Sequence, residues 1–188
     1  MKKTLYVMIA FCFLSSGSFC AEKAKEKTKL LNDYKTKLLD TKGGEDEDTK
    51  VVVSLSDEYK PGDKKRCKAV FKAEDEGGVG IRFSKPSNWK DYNILRVEMF
   101  NPTEEPMSIS VMIADEESKA KWAYNNHFTK GQTLKPGDNV IEIDIEGLTA
   151  HRERAMDLSK IMHLIFYYGI PKTDVIVYIG DIKLVATE

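Results

Sequence analysis

From residue 51 to residue 185 the chain runs in short segments of alternating apolar and polar side chains, each closed by proline, glycine or asparagine. A period of two sends successive side chains to opposite faces of an extended strand. In residues 94–100, Leu95, Val97 and Met99 share one face, and Arg96 and Glu98 the other. In 140–145, Ile141, Ile143 and Ile145 oppose Glu142 and Asp144. Comparable segments cover 51–55, 67–73, 79–83, 109–113, 122–128, 161–168 and 175–185. The breaks fall at Lys60-Pro61-Gly62-Asp63, Gly77-Gly78, Lys85-Pro86-Ser87, Asn101-Pro102-Thr103 and Leu134-Lys135-Pro136-Gly137-Asp138. About nine short strands with such turns describe an all-β antiparallel sandwich or barrel. Asp157-Leu158-Ser159-Lys160 can make a single helical turn. No helical pattern alternates with the strands, which disfavours a parallel α/β sheet.

The N-terminus is built differently. Met1-Lys2-Lys3 precedes an apolar run from Leu5 to Leu14, then Ser15-Ser16-Gly17-Ser18-Phe19-Cys20-Ala21. Two lysines, a short apolar stretch and small residues read as a secretory signal peptide over residues 1–20. A spanning helix needs about 20 apolar residues, so no membrane span is expected. The expected location is a periplasm or the extracellular space. Cys20 stands where a bacterial lipoprotein carries its lipid, but Gly17 and Phe19 depart from the usual aliphatic and small residues there. Export without an anchor is the expected form and lipid anchoring at Cys20 the alternative. Residues 21–29 carry no large apolar side chain and read as a charged spacer, which leaves residues 30–188 for one folded domain. Leu30-Leu31, Tyr34 and Leu38-Leu39 suit either helical spacing or the start of a first strand. Residues 43–48 form an acidic loop without the ligand spacing of an EF-hand.

A net charge of −1 over 188 residues argues against an extended nucleic-acid surface, which should make the domain strongly basic. Three cysteines cannot pair completely, so no disulfide scaffold is expected. Cys67 shares a strand face with Ala69 and Phe71 and reads as a buried, inert thiol. The chain has no GxSxG, HExxH, Walker-type loop or CxxC pair. His127, His151 and His163 lie in separate segments without metal-ligand spacing. Glu98 can meet Glu142 or Asp144 on a sheet face, which leaves a glycosidase dyad as an option.

An ordered set of motifs goes further. It comprises Asn88-Trp89-Lys90-Asp91-Tyr92-Asn93-Ile94-Leu95, Val97-Glu98-Met99-Phe100-Asn101-Pro102 and residues 109–115. Leu134-Lys135-Pro136-Gly137-Asp138-Asn139 follows, and Tyr178-Ile179-Gly180-Asp181-Ile182-Lys183-Leu184 closes the set. This order resembles the galactose-binding-like jelly-roll domains that serve as carbohydrate-binding modules of secreted bacterial glycoside hydrolases, over about residues 50–186. The resemblance implies an antiparallel jelly-roll β-sandwich that binds a polysaccharide or other glycan without catalysis. It also implies a structural cation, calcium, on Asp181 of the closing strand, with Asp33 or Asn32 as partner. Such domains commonly place a glutamate for that ion in the first strand; here Asn32-Asp33-Tyr34-Lys35 stands there.

Trp122, Tyr124, Tyr167 and Tyr168 are the aromatic candidates for stacking on the C–H face of a sugar ring, though each can equally be a core side chain. Asn125, Asn126, Arg96 and Glu142 are the polar candidates for its hydroxyls. On a strand Trp122, Tyr124 and Asn126 share a face. The expected ligand site is therefore Trp122 and Tyr124 with Asn126 and Arg96. The alternatives are a protein-interaction or structural envelope module on the same sandwich and, less favoured, a small polysaccharide lyase or glycosidase.

Overall fold

A computed structural model describes residues 26–32, 34, 38–41, 51–59, 64–121, 123, 126–151 and 154–187. Residues 1–20, expected to be a signal peptide, lie outside these residues with Cys20 and Asp33, as do Trp122, Tyr124 and Asn125. In chain order the strands are β1 (Lys27–Leu30), β2 (Val51–Ser56), β3 (Arg66–Phe71), β4 (Gly78–Ser87), β5 (Ile94–Asn101) and β6 (Met107–Asp115). The helix α1 (Glu116–Ala120) follows, then β7 (Phe128–Leu134), β8 (Gly137–Asp144), β9 (Ile161–Tyr167) and β10 (Val175–Ala186). They form two antiparallel sheets, ordered β2-β3-β10-β5-β8 with β1 also on β10, and β4-β9-β6-β7. Among the described residues, ten strands in a jelly-roll sandwich match the expected class.

The alternation read from the sequence makes the core. Leu95, Val97, Met99, Ile141 and Ile143 of one sheet meet Ile109, Val111, Ile113, Leu164 and Phe166 of the other, all buried. Trp89 is wholly enclosed, and its indole N–H donates to Ser87 Oγ at 3.1 Å. Cys67 is buried as expected, and burial pushes its thiol up to about 11. The Pro136-Gly137 turn carries the chain from β7 in one sheet to β8 in the other, with Gly137 at φ 84°.

Three boundaries differ from expectation. Of the segment 122–128, the described residues Ala123, Asn126 and His127 lie outside any strand. Asp115 caps α1 by accepting from Ser118 N–H, Glu116 and Glu117 occupy the first turn, and β7 starts only at Phe128. Strand β4 runs through Pro86 to Ser87 instead of breaking before it, with a register shift between Arg82 and Ser87. Proline is tolerated there because β4 lies at a sheet edge. Finally, β1 begins at Lys27, inside the expected spacer, because backbone pairing with Lys183–Ala186 of β10 orders it without a large apolar face.

β10 changes partner midway. β3 pairs with it as far as Ile179, β1 from Lys183 onward, and its register against β5 slips between Ile179 and Ile182. Asn32 fills the junction: its Nδ2 donates to Gly180 O at 3.2 Å and its Oδ1 accepts from Ile182 N–H at 2.7 Å. Tyr34 Oη donates to the same Gly180 carbonyl at 3.0 Å.

Candidate functional site

The outward face of the β4-β9-β6-β7 sheet is set by three cross-strand rows. Tyr167 stands between Gly78 and Ser110, Ile165 between Gly80 and Met112, and His163 between Arg82 and Ala114. Met112, Ala114 and Ile165 are buried and form, with Tyr167, a small cluster separate from the sandwich core. Tyr167 takes the space a side chain at Gly78 would fill, since a Cβ there would lie 2.6 Å from both Tyr167 Cε1 and Ile165 Cγ2. Burial pushes the Tyr167 hydroxyl pKa up. Burial, then Arg82 and Lys119, push His163 down to about 4, so its ring is neutral near pH 7. Arg82 Nη1 is buried without a hydrogen-bond partner among the described residues. The Asp40 backbone pairs with Gly80 at 2.7 and 2.9 Å and extends this edge of the sheet. The face thus carries an aromatic ring in one row and a guanidinium and a neutral imidazole in another, with the buried Ile165 row between them. Of the two neighbouring tyrosines named from sequence, Tyr167 faces outward, while Tyr168 packs toward the core with its ring 5.9 Å from that of Phe71.

At the end of the same sheet the α1–β7 connection is tied down at Asn126. Asn126 Nδ2 donates to Glu117 O at 3.3 Å and Lys121 O at 3.1 Å, and its Oδ1 accepts from Arg154 Nε at 2.9 Å. The amide expected to hold a sugar hydroxyl is therefore engaged inside the protein, because a loop leaving a five-residue helix needs its free carbonyls satisfied. Asn126 thus ties the end of α1 to Arg154. Next to it, His127 and His151, far apart in sequence, bring their rings within 6.4 Å.

Arg96 is elsewhere. It lies on β5, on the outward face of the other sheet, where its guanidinium contacts Glu142 at 2.7 Å and Glu26 at 3.0 and 3.3 Å. The structure does not bring Arg96 and Asn126 into one site, because the period of a strand reveals its faces but not the sheet it joins. The carboxylates proposed as a dyad each face a cation: Glu142 the Arg96 guanidinium, and Glu98 the Lys183 ammonium at 3.6 Å.

Calcium is held by roughly six to eight oxygen ligands. Asp181 Oδ2 lies 2.7 Å from Lys64 Nζ and 2.8 Å from Lys183 Nζ, and Asn32 Oδ1 is taken by a backbone N–H. Among the described residues no three His, Cys, Asp or Glu side chains are grouped to share an ion. Of the expected ligands, Asp33 lies outside the described residues, and at Asp181 two ammonium groups supply the positive charge.

No protein-family model matches the chain, and no curated protein matches it. Solved structures do. A family 11 carbohydrate-binding module from Clostridium thermocellum, in complex with a β-1,3-1,4-mixed-linked tetrasaccharide, aligns with TM-score 0.64 at 16% identity, over 85% of this chain and 96% of that one. A family 30 carbohydrate-binding module of a cellulosomal cellulase from the same organism aligns with TM-score 0.55 at 11% identity, over 80% and 92%. The agarase AgWH50C aligns with TM-score 0.62 at 11% identity, over 86% of this chain but 25% of the enzyme. The chain has the jelly-roll fold of carbohydrate-binding modules. Among the described residues, no helix is long and apolar enough to cross a membrane.

Proposed function

We propose that this chain is an exported, non-catalytic carbohydrate-binding domain whose glycan lies along the outward face of the β4-β9-β6-β7 sheet. The observation that carries the reading is Tyr167 laid across Gly78, with Arg82 and His163 on the same face. A pyranose offers a flat C–H face to an aromatic ring, while each hydroxyl buried without a partner costs about 1–3 kcal/mol. A guanidinium and an imidazole on the same face as an aromatic meet both needs. In this reading Trp122 and Tyr124 extend the aromatic surface from the connection that Asn126 and Arg154 anchor. The absence of catalysis is supported by the cationic partners of Glu98 and Glu142, and export by residues 1–20. The saccharide bound by the family 11 module makes a mixed-linked β-glucan the first ligand to try.

Affinity electrophoresis through gels containing mixed-linked β-1,3-1,4-glucan, agarose or other polysaccharides tests the reading. The mature protein is expected to be retarded by at least one polymer. Tyr167→Ala and Trp122→Ala should each weaken retention about tenfold while leaving melting nearly unchanged. A Trp122→Ala protein that unfolds places Trp122 in the core. Retention unchanged in both folded variants removes the site from this face.

A further inference from the structure

The opposite face of the sandwich carries an aromatic cluster that the proposed site does not use. On the outward side of the β10 sheet, Ser54, Lys68, Tyr178, Phe100 and Asp138 form one cross-strand row. Above it sits Tyr59, from the segment after β2. Its ring stacks on Phe100 with centroids 4.3 Å apart and planes at 17°, and meets the edge of Tyr178 at 5.1 Å. Tyr59 stays 52% exposed even though one face is covered by Phe100. Its backbone has φ 50°, a conformation uncommon for a side chain of this size, so the surroundings hold the ring in place against local strain.

The groups around the ring are polar and already matched in charge. Tyr178 Oη donates to Glu58, which also pairs with Lys68 at 3.2 Å, and Arg66 Nη2 pairs with Asp138 at 2.5 Å. The Lys68 ammonium lies 5.6 Å from the centre of the Tyr178 ring, and the Arg66 guanidinium 5.4 Å from that of Phe100. Arg66 is 4% exposed, yet its Nε and Nη1 have no hydrogen-bond partner among the described residues. Two buried donors therefore lie beside the stacked rings without an acceptor, which is costly unless something supplies one.

We propose that Tyr59, backed by Phe100 and Tyr178, is a second saccharide platform, which takes a neutral pyranose ring on its open face. The polar rim selects the occupant. The core of a protein–protein interface is depleted of charged residues, whereas here charges bracket every ring. Paired acids and bases offer both acceptors and donors to hydroxyls but no net charge to draw an ionic ligand. This site is separate from the Tyr167 face, and either can exist without the other.

The test uses the mature protein, with mixed-linked β-glucan and agarose as gel probes and the mixed-linked tetrasaccharide as a soluble probe. Tyr59→Ala is expected to weaken retention about tenfold, while Tyr59→Phe, which keeps the ring, retains it. In the unsubstituted protein the tetrasaccharide should shift the Tyr59 and Phe100 ring-proton resonances, a readout independent of whether any variant folds. Unchanged retention in Tyr59→Ala together with unmoved ring resonances overturns the platform. If Tyr167→Ala still abolishes retention in that case, the reading of the other face survives. A chain retained by neither polymer and unperturbed by the tetrasaccharide overturns both. Self-association that Tyr59→Ala disperses, seen by sedimentation without any saccharide effect, overturns the platform in favour of an interface between copies.

Discussion

Arg154 and Asp115 meet in a two-point pair, Nη1 to Oδ2 at 2.8 Å and Nη2 to Oδ1 at 2.9 Å, across 39 positions of sequence. The Asp115 carboxylate is 1% exposed and also accepts from Ser118 N–H, Ser118 Oγ and Asp157 N–H. One side chain thus joins the end of β6, the start of α1 and the segment that leads into β9. Burial alone would raise its pKa. The Arg154 guanidinium and the N–H donors outweigh burial and hold the carboxyl well below the usual carboxylate range.

Removing one partner leaves the other as an uncompensated charge. Arg154→Met and Asp115→Ala are each expected to lower stability by about 3–5 kcal/mol. Because the folded carboxyl titrates below the unfolded one, its contribution is complete above about pH 4 and fades as pH falls toward the folded value. Urea unfolding between pH 7 and pH 2.5 checks this. The unsubstituted protein should lose stability in acid more steeply than Asp115→Asn, and equal slopes would assign the acid sensitivity to other groups.

His163 gives a second slope in a different window. Its folded pKa is down to about 4, against about 6.5 for an unperturbed imidazole, so the unfolded chain binds the extra proton between those values. Stability should be full above about pH 6.5 and fall as pH drops from there toward 4. His163→Gln, which cannot take up the proton, should flatten that part of the profile. Melting measured at half-unit steps from pH 7.5 to 4.5 decides it. His127, held neutral by burial and then by His151, adds a slope of the same sign that survives the substitution.

What the sequence revealed and what it hid follow from the range of the interactions. Alternation in β5, β8 and β3 was legible because each strand buries one face, so Leu95, Val97, Met99 and Cys67 could be placed inside from their spacing alone. The outward direction of Tyr167 against the inward packing of Tyr168 depends on the register of β9, which adjacent tyrosines do not disclose. Arg96 was correctly put on a polar face, but the sheet that β5 enters is a matter of topology. The Arg154–Asp115 pair and the Tyr59–Phe100 stack join residues with no periodic relationship. The helix α1 is too short for a periodic signal and is marked only by its Asp115 cap.

Asp181 provides a direct test of the cation that the family resemblance implies. Burial pushes its carboxyl up, but Lys183 and Lys64 outweigh this and hold it below its ordinary value. With both lysines in place, chelator and millimolar calcium are each expected to leave the melting temperature unchanged. Lys183→Met should lower it by removing one neutralising charge. A fall in melting temperature on chelation, reversed by calcium, would show that an ion displaces the lysines.

The close approach of Tyr167 to Gly78 separates a binding role for that face from a structural one. A methyl group at Gly78 would press on the Cδ1–Cε1 side of the Tyr167 ring and on the γ2 methyl of Ile165, all side-chain atoms, whereas one at Gly80 would run into the Leu164 carbonyl in the β9 backbone. Gly78→Ala should therefore cost only about 1–3 kcal/mol, the usual range for a small overpacking, while lifting the ring from its seat. Gly80→Ala should be the more damaging, since the paired backbone has no comparable freedom. If Tyr167 stacks on a sugar, Gly78→Ala weakens polysaccharide retention while the protein still melts cooperatively. If Tyr167 only shields Met112 and Ile165, the same variant loses some stability and binds as before. Melting and affinity electrophoresis on the one variant distinguish these outcomes, and undiminished retention would remove Tyr167 from the ligand surface.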